Sequence, residues 1–146
     1  MKRFRFPLDP YLALLRREME AAQAKCSQLY RQQHAARRRS DQLLQQRQAA
    51  LKRLSQAEPI AGDELRGLDA WRTSLGECAM AAQDAAAKLE RPIQQAKLHA
   101  LEIRRRVELL TKLREQRLSE HGRLENRELE QAAAELHLAG RRRRVM

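Results

Sequence analysis

The residues best suited to catalytic or metal chemistry are histidines and cysteines, and the sequence scatters them. They are His34, His99, His121, His137, Cys26 and Cys78. Their separations do not match the spacings of zinc ligands, and two distant cysteines make no disulfide framework. The sequence also has no glycine-rich phosphate loop and no serine or cysteine nucleophile placed with a base. We therefore predict a protein that is not an enzyme, with no catalytic residue, no cofactor and no metal site.

A second kind of chemistry is that of arginine, because runs of guanidinium groups could follow the phosphates of a nucleic acid. The runs are Arg37–Arg39, Arg104–Arg106 and Arg141–Arg144. Consecutive helical residues point roughly 100° apart, so such a run does not make one flat patch. Aromatic side chains that would stack on bases are also scarce. We favour a solvated face and a disordered tail, with Arg141–Arg144 as the best candidate for an electrostatic tether; a basic nucleic-acid-binding coiled coil stays as an alternative.

The composition excludes a compact globule. Only 5 of the 146 residues are aromatic and 9 are Gly or Pro, too few to fill a core and to turn a chain around it. Helix-favouring Ala, Leu, Arg, Gln, Glu and Lys dominate instead, which argues against the sheet classes. The net charge of +11 attracts an acidic partner: nucleic acid, an anionic membrane surface or an acidic protein. Without an apolar run of roughly 20 residues or a signal peptide, we expect no transmembrane segment and a cytoplasmic location.

The elements that must position these residues are two long helices. Helix signals start at Asp9-Pro10, a capping carboxylate followed by a proline suited to the first helical position. The predicted elements are helix one at about 10–57, a turn at 58–62, helix two at about 63–138 and a basic tail at 139–146. Pro92 should bend or break helix two near Lys88, and we expect a kink rather than a loop.

Both predicted helices carry a heptad seam of mostly apolar residues. In helix one it comprises Leu12, Leu15, Met19, Ala22, Cys26, Leu29, Gln33, Ala36, Ser40, Leu43, Arg47, Ala50, Leu54 and Ala57. In helix two it comprises Leu68, Arg72, Leu75, Ala79, Ala82, Ala86, Leu89, Ile93, Ala96, Ala100, Ile103, Val107 and Leu110. If the chain folds back at Ala61, facing positions add up to 122 throughout. The fold class predicted is all-α: one antiparallel two-helix coiled-coil hairpin over 1–146, with the second helix longer than the first. An intermolecular bundle is the alternative.

The predicted hairpin has weak and uncovered regions. Polar Gln33, Ser40 and Arg47 and the Ala layers bury little, so we expect the stretch 33–47 to open readily. Beyond Leu110 helix two outruns its partner. We expect Phe4, Phe6 and Leu8 to cover Leu113 and Leu118, while Leu124, Leu129 and Leu136 stay without a partner. Trp71 either closes the turn end of the hairpin or faces a binding partner.

Two stretches resemble a known family. The opening Phe4-Arg5-Phe6-Pro7-Leu8-Asp9-Pro10-Tyr11-Leu12-Ala13-Leu14-Leu15-Arg16-Arg17-Glu18 is similar to the start of the flagellar export protein FliJ family, and the stretches 104–117 and 128–133 resemble its second helix and end. The resemblance implies a stalk-like coiled coil that enters the ring of the hexameric flagellar export ATPase and promotes its assembly and activity. It also implies links to the membrane export gate protein and to export chaperones, at the inner face of the cell membrane.

Carried onto this sequence, the resemblance implies two contact surfaces. The ATPase-ring candidates are Phe4, Phe6, Arg114, Arg117, Leu118, Leu124, Leu129 and Leu136. The export-gate candidates are Leu44, Gln48, Trp71 and Leu75. The stalk protein of a virulence-type type III secretion system shares this plan and is an alternative, as are the nucleic-acid-binding coiled coil and a purely structural oligomer. No small-molecule substrate is expected.

Overall fold

The computed structural model describes residues 2–56, 59 and 61–145, and its regular elements are three α-helices. Helix α1 covers Asp9–Ser55, α2 covers Gly62–Lys88 and α3 covers Glu90–Val145. Only Leu89 separates α2 from α3, so the second helical stretch is longer than the first. Within the described residues, the prediction of an all-α chain with a longer second helical part is confirmed.

The predicted turn is described only in part. Helix α1 ends at Ser55, before the predicted end at about 57. Ala57, Glu58 and Ile60 lie outside the described residues, so most of the turn at 58–62 remains a prediction. Gly62, predicted as the last turn residue, is the first residue of α2. Asp63 and Glu64 follow it in the first turn, where the positive end of the helix dipole favours carboxylates.

The interruption near Pro92 is one residue long. Leu89 keeps helical dihedral angles (φ −79°, ψ −14°), and its amide bonds to the Ala86 carbonyl three residues earlier. Because α3 begins at Glu90, Pro92 lies in its first turn, where an amide needs no partner within the helix. The regular pattern resumes at Ile93, whose amide donates to the Leu89 carbonyl at 3.0 Å. The interruption is therefore local and has no intervening loop, whereas the kink remains a prediction.

Residue contacts divide the chain into two units. Unit 1 comprises Met1–Met19 and Glu102–Met146, and unit 2 comprises Glu20–Leu101. Helix α1 contributes to both units, as does α3. Each unit is described by itself below.

Apart from Phe6, the buried residues of the described chain are positions of the predicted seams. From Leu12 to Leu54 in α1, and from Leu68 to Leu110 in α2 and α3, each seam position is buried or half-buried. The buried residues of unit 1 are Phe6, Leu12, Leu15, Ile103 and Val107. The buried residues of unit 2 are Ala22, Gln33, Ser40, Leu43, Ala50, Leu75, Ala79, Ala86, Ile93 and Ala96.

Within unit 2, α1 contacts the other two helices in reversed sequence order. Leu43 shares a buried cluster with Leu75 and Ala79. Earlier along α1, Gln33 bonds to Ala86, and earlier still Tyr30 meets Lys97 of α3. Positions that rise along α1 therefore meet positions that fall along α2 and α3, which is the order of an antiparallel pair.

Candidate interaction surfaces

The N-terminal segment, residues 2–8, lies against α3 in unit 1. Phe6 is its anchor, with only 6% of its surface exposed. A groove of about 490 Å³ lies between the segment and one side of α3. Its lining comprises Phe4, Arg5, Phe6, Pro7, Leu8, Leu113, Arg117, Glu120, His121 and Leu124. The segment thus covers an apolar strip of α3 before α1 begins.

Two basic side chains of α3 hold this segment. Arg114 donates from Nε to Asp9 Oδ1 at 2.9 Å, and its guanidinium carbon lies 5.8 Å from the centre of the Phe4 ring. His121 packs edge-on to the same ring at 5.5 Å, and its Nε2 lies 3.0 Å from the Lys2 carbonyl oxygen. The Asp9 carboxylate, predicted to cap the helix, thus accepts a hydrogen bond from α3. The contacts of Phe4 do not follow the predicted register, which would pair it with Leu118.

Two expectations about the end of helix two need correction. Leu113 lies in the groove as expected, but Leu118 is not part of its lining and is 45% exposed. Leu124, expected to have no partner, does line the groove. The reason is geometric: at about 100° per residue, Leu113 and Leu124 lie on one side of α3, and Leu118 lies roughly 120° to 140° away.

The uncovered side of α3 carries a line of leucines that we call the leucine stripe: Leu118, Leu129 and Leu136. Their exposed fractions rise along the chain from 45% to 64% and 75%. Eleven residues make three turns plus about 20°, and seven make two turns less about 20°, so the three side chains share one face. Buried Val107 precedes Leu118 by eleven residues on that face. The stripe therefore continues the seam beyond the residues that α1 and the N-terminal segment cover.

The remaining ring-contact candidates of unit 1 differ in accessibility. Phe4 and Arg114 are half-buried by their mutual contact, and Phe6 is buried, so its side chain cannot contact a partner in this conformation. Arg117 is exposed and lies 3.7 Å from Glu120. The accessible candidates are therefore Arg117, the leucine stripe and Leu124, which is 53% exposed although it lines the groove.

Helix α3 does not end near Leu138. It continues through Gly140 and Arg141–Arg144 to Val145, so the predicted disordered tail is helical and exposed. Glycine in a helix costs only about 1 kcal/mol relative to alanine, and arginine is a good helix former. Cations in the last turn also interact favourably with the negative end of the helix dipole. Together these effects carry the helix past the glycine.

The export-gate candidates of unit 2 divide in the same way. Leu75 is 7% exposed and packs with Leu43 and Ala79, so it is a core residue in this conformation. Trp71 is 49% exposed and Leu44 is 38% exposed, and Gln48 is exposed as well. The exposure of Trp71 does not support the interpretation in which this residue closes the turn end of the hairpin.

Three polar residues occupy the part of the α1 seam that lies in unit 2. Gln33 Nε2 donates to the Ala86 carbonyl at 3.2 Å. Ser40 Oγ and Arg47 Nε are buried and have no hydrogen-bond partner among the described residues. The Arg47 guanidinium lies over Gly76, at a distance where a Cβ atom would make ordinary van der Waals contact, 3.5 Å from Nη1. The sequence indicated all three as weak positions, but it did not indicate that Arg47 lies over Gly76.

A cation and an aromatic ring meet in unit 2. Lys97 Nζ lies 5.1 Å from the centre of the Tyr30 ring, a favourable cation–π distance. The Tyr30 hydroxyl raises the pKa of Lys97 above its ordinary value of 10.5, first as a hydrogen-bond partner and second through its charge when ionised. Burial works in the opposite direction and does not reverse the shift.

The histidines and carboxylates do not converge. In the described part of the chain, no group of three or more His, Cys, Asp or Glu side chains could hold a metal ion. His34 accepts a hydrogen bond from Arg38 at 3.2 Å, and His121 contacts the Lys2 carbonyl oxygen of the N-terminal segment. None of the helices described combines the length and apolarity needed to cross a membrane.

Comparisons with protein-family models, with curated proteins and with solved structures found no match for this chain.

Proposed function

We propose that this protein is a non-enzymatic, stalk-like component of the flagellar type III protein export apparatus. In this proposal it enters the ring of the export ATPase, promotes its assembly and activity, and links it to the membrane export gate and to export chaperones. It would act in the cytoplasm, at the inner face of the membrane. The proposal starts from the family resemblance of the stretches 4–18, 104–117 and 128–133.

The observation that supports ring contact best is the leucine stripe. Leu118, Leu129 and Leu136 share one face of α3 and are exposed over about half to three quarters of their surface. An exposed apolar face on a helix is the surface that a partner's groove or another helix recognises. The stripe thus supplies an apolar contact surface where the resemblance implies the ATPase ring.

We further propose that the helices pair as one antiparallel coiled-coil hairpin in the register that adds up to 122. Two observations support this pairing: the reversed order of contacts in unit 2, and the full or partial burial of the seam positions. Asp9 and Arg114 in unit 1 fall within one residue of the same register.

The proposed mechanism relies on asymmetry. A single stalk inside a sixfold ring contacts only some subunits at one time. It therefore biases their conformations through its different affinities for each conformation. Contacts that are partly electrostatic suit a part that must move, and the exposed arginines supply them. Trp71, Leu44 and Gln48 are the accessible residues we assign to the export gate.

The test is stimulation of the cognate hexameric ATPase by a chain carrying Leu129→Asp and Leu136→Asp. We expect stimulation to be lost while circular dichroism reports unchanged helicity, because both side chains are exposed. The matched control carries Leu98→Asp and Leu109→Asp, which are 64% and 67% exposed on helical positions outside the stripe.

Three results would redirect the proposal. Full stimulation by the Leu129 and Leu136 variant would remove the stripe from the ATPase contact. Stimulation of a virulence-type secretion ATPase in preference to the flagellar one would move the protein to that system. Duplex binding at physiological salt without any effect on an ATPase would favour the nucleic-acid-binding alternative.

A further inference from the structure

Arg47 brings a positive charge to the seam of α1 in unit 2. The side chain is half-buried, and its Nε atom is fully buried without a hydrogen-bond partner among the described residues. None of the four salt bridges between described residues involves Arg47. Removing a charge from water without supplying a partner is costly, so this guanidinium favours an anion that can reach it.

A cavity of about 420 Å³ lies beside this guanidinium. Arg47 lines it from α1 and Arg72 lines it from α2, so guanidinium groups of two helices border one space. Arg72 donates from Nη2 to Asp69 Oδ1 at 2.9 Å, a bond that engages one of the five N–H groups of its side chain. The volume lies in the range of small-ligand sites and far exceeds that of one water molecule.

A carboxylate in the lining narrows the choice of anion. Glu77 borders the same cavity, and the salt bridges between described residues include none from Glu77 to Arg47 or Arg72. An ionised carboxylate accepts hydrogen bonds but cannot donate them. It therefore repels an anion without protons, whereas an anion that keeps a proton can donate a hydrogen bond to it. Phosphate keeps a proton at neutral pH, and sulfate does not.

We propose that this cavity binds a phosphate group. Arg47 and Arg72 donate to its ionised oxygens, because the planar guanidinium matches the geometry of phosphate, and Glu77 accepts from its remaining hydroxyl. The site joins α1 to α2 at the edge of the stretch 33–47, where we expect the helices to open most readily. A ligand that binds only the closed arrangement stabilises it, so phosphate should hold unit 2 closed. The inference is independent of the proposed function.

Amide hydrogen exchange of the full chain provides the test, in inorganic phosphate and in sodium chloride of the same ionic strength. We expect phosphate to slow exchange in unit 2 until the site is saturated, and sulfate to bind at least tenfold more weakly. Arg47→Met and Arg72→Gln should each weaken phosphate binding by about tenfold, because each removes a charge-assisted contact. Glu77→Gln should bring the affinity for sulfate within about twofold of that for phosphate.

The matched control is Arg39→Gln, which removes an exposed charge of α1 outside the cavity and should change phosphate affinity less than twofold. Equal exchange in phosphate and chloride with the unmodified chain would overturn a site for free phosphate. Slowing that survives in Arg47→Met, or that sulfate reproduces fully in the unmodified chain, would reduce the effect to bulk charge and overturn the inference.

Vesicles distinguish the two sources of a phosphate group. Vesicles containing phosphatidic acid present it as a lipid headgroup, and phosphatidylcholine vesicles are their control. Flotation with phosphatidic acid that depends on Arg47 and Glu77, without any effect of free phosphate on exchange, would assign the lipid as the source. The opposite pattern would assign the free ion. The absence of both effects would overturn the inference.

Discussion

Units 1 and 2 contain the same kind of seam and fill it differently. The buried positions of unit 1 are all apolar, and they hold larger side chains: Phe6, Leu12, Leu15, Ile103 and Val107. Unit 2 instead buries five alanines together with Gln33 and Ser40. Each buried methylene contributes roughly 0.8 kcal/mol, so a leucine layer stabilises its unit more than an alanine layer does.

The difference indicates where the helices separate first. Among its described residues, unit 2 holds two buried polar atoms without hydrogen-bond partners, and leaving such atoms unpaired costs about 1–3 kcal/mol each. Unit 1 has the N-terminal segment packed against α3, and each of its buried apolar side chains is larger than alanine. We therefore expect unit 1, which carries the leucine stripe, to be the more stable unit. Unit 2 should open more readily, above all at 33–47.

The largest effect should come from Leu15→Ala in unit 1. Leu15 is 2% exposed, and truncating such a side chain costs about 2–5 kcal/mol through lost burial and the cavity left behind. Urea denaturation gives the free energy of unfolding, and amide hydrogen exchange shows which unit opens. Leu14→Ala, one position earlier and 51% exposed, is the control and should change stability by less than about 0.5 kcal/mol. Equal losses from the two variants would contradict the assigned core of unit 1.

A stabilising change of about 1 kcal/mol is expected for Ser40→Ala in unit 2. The substitution removes a buried hydroxyl that has no partner and keeps nearly the same volume. Exposed Ser27→Ala on the same helix is the control, because it gains the same helix propensity without removing a buried polar group. We expect slower amide exchange at 33–47 for Ser40→Ala alone. If both variants stabilise the protein equally, then burial of the Ser40 hydroxyl does not weaken unit 2.

The two units also differ in how far the sequence predicted them. Heptad spacing predicted the sheltered positions from Leu12 to Leu110, because burial along paired helices follows the period of the sequence. Heptad spacing did not predict the end of α3 or the path of the N-terminal segment. Whether α3 stops at Gly140 depends on propensities and dipole effects of about 1 kcal/mol, too small to read from one glycine. The path of the non-helical N-terminal segment depends on contacts of Phe4 and His121, which no periodic pattern encodes.

Two glycines allow the units to be stabilised separately. Gly67 in unit 2 and Gly122 in unit 1 are helical, and a Cβ atom at either would meet no atom within 4 Å. Alanine at each should therefore stabilise the protein by about 0.5–1 kcal/mol. Hydrogen exchange should slow in unit 2 for Gly67→Ala and in unit 1 for Gly122→Ala. Slowing in both units by either variant would show that they open together and would erase the distinction drawn here.

The smallest effect concerns the cation and ring of unit 2. Tyr30→Phe keeps the aromatic ring beside Lys97 and removes the hydroxyl that raises its pKa. The Lys97 pKa should therefore fall toward 10.5, as measured by NMR titration of the side-chain amine. When a lysine pKa is higher in the folded protein than in the unfolded chain, the lysine contributes its full stabilisation at pH values below the unfolded-state pKa. That stabilisation is lost as the pH rises through the folded-state pKa. The difference in free energy of unfolding between Tyr30→Phe and the unmodified chain should thus be constant at neutral pH and shrink only in strongly alkaline solution.

Tyr11→Phe, at the 46% exposed tyrosine of unit 1, is the control and should leave the titration of Lys97 unchanged. A Lys97 pKa unaffected by Tyr30→Phe would assign the interaction to the ring rather than to the hydroxyl.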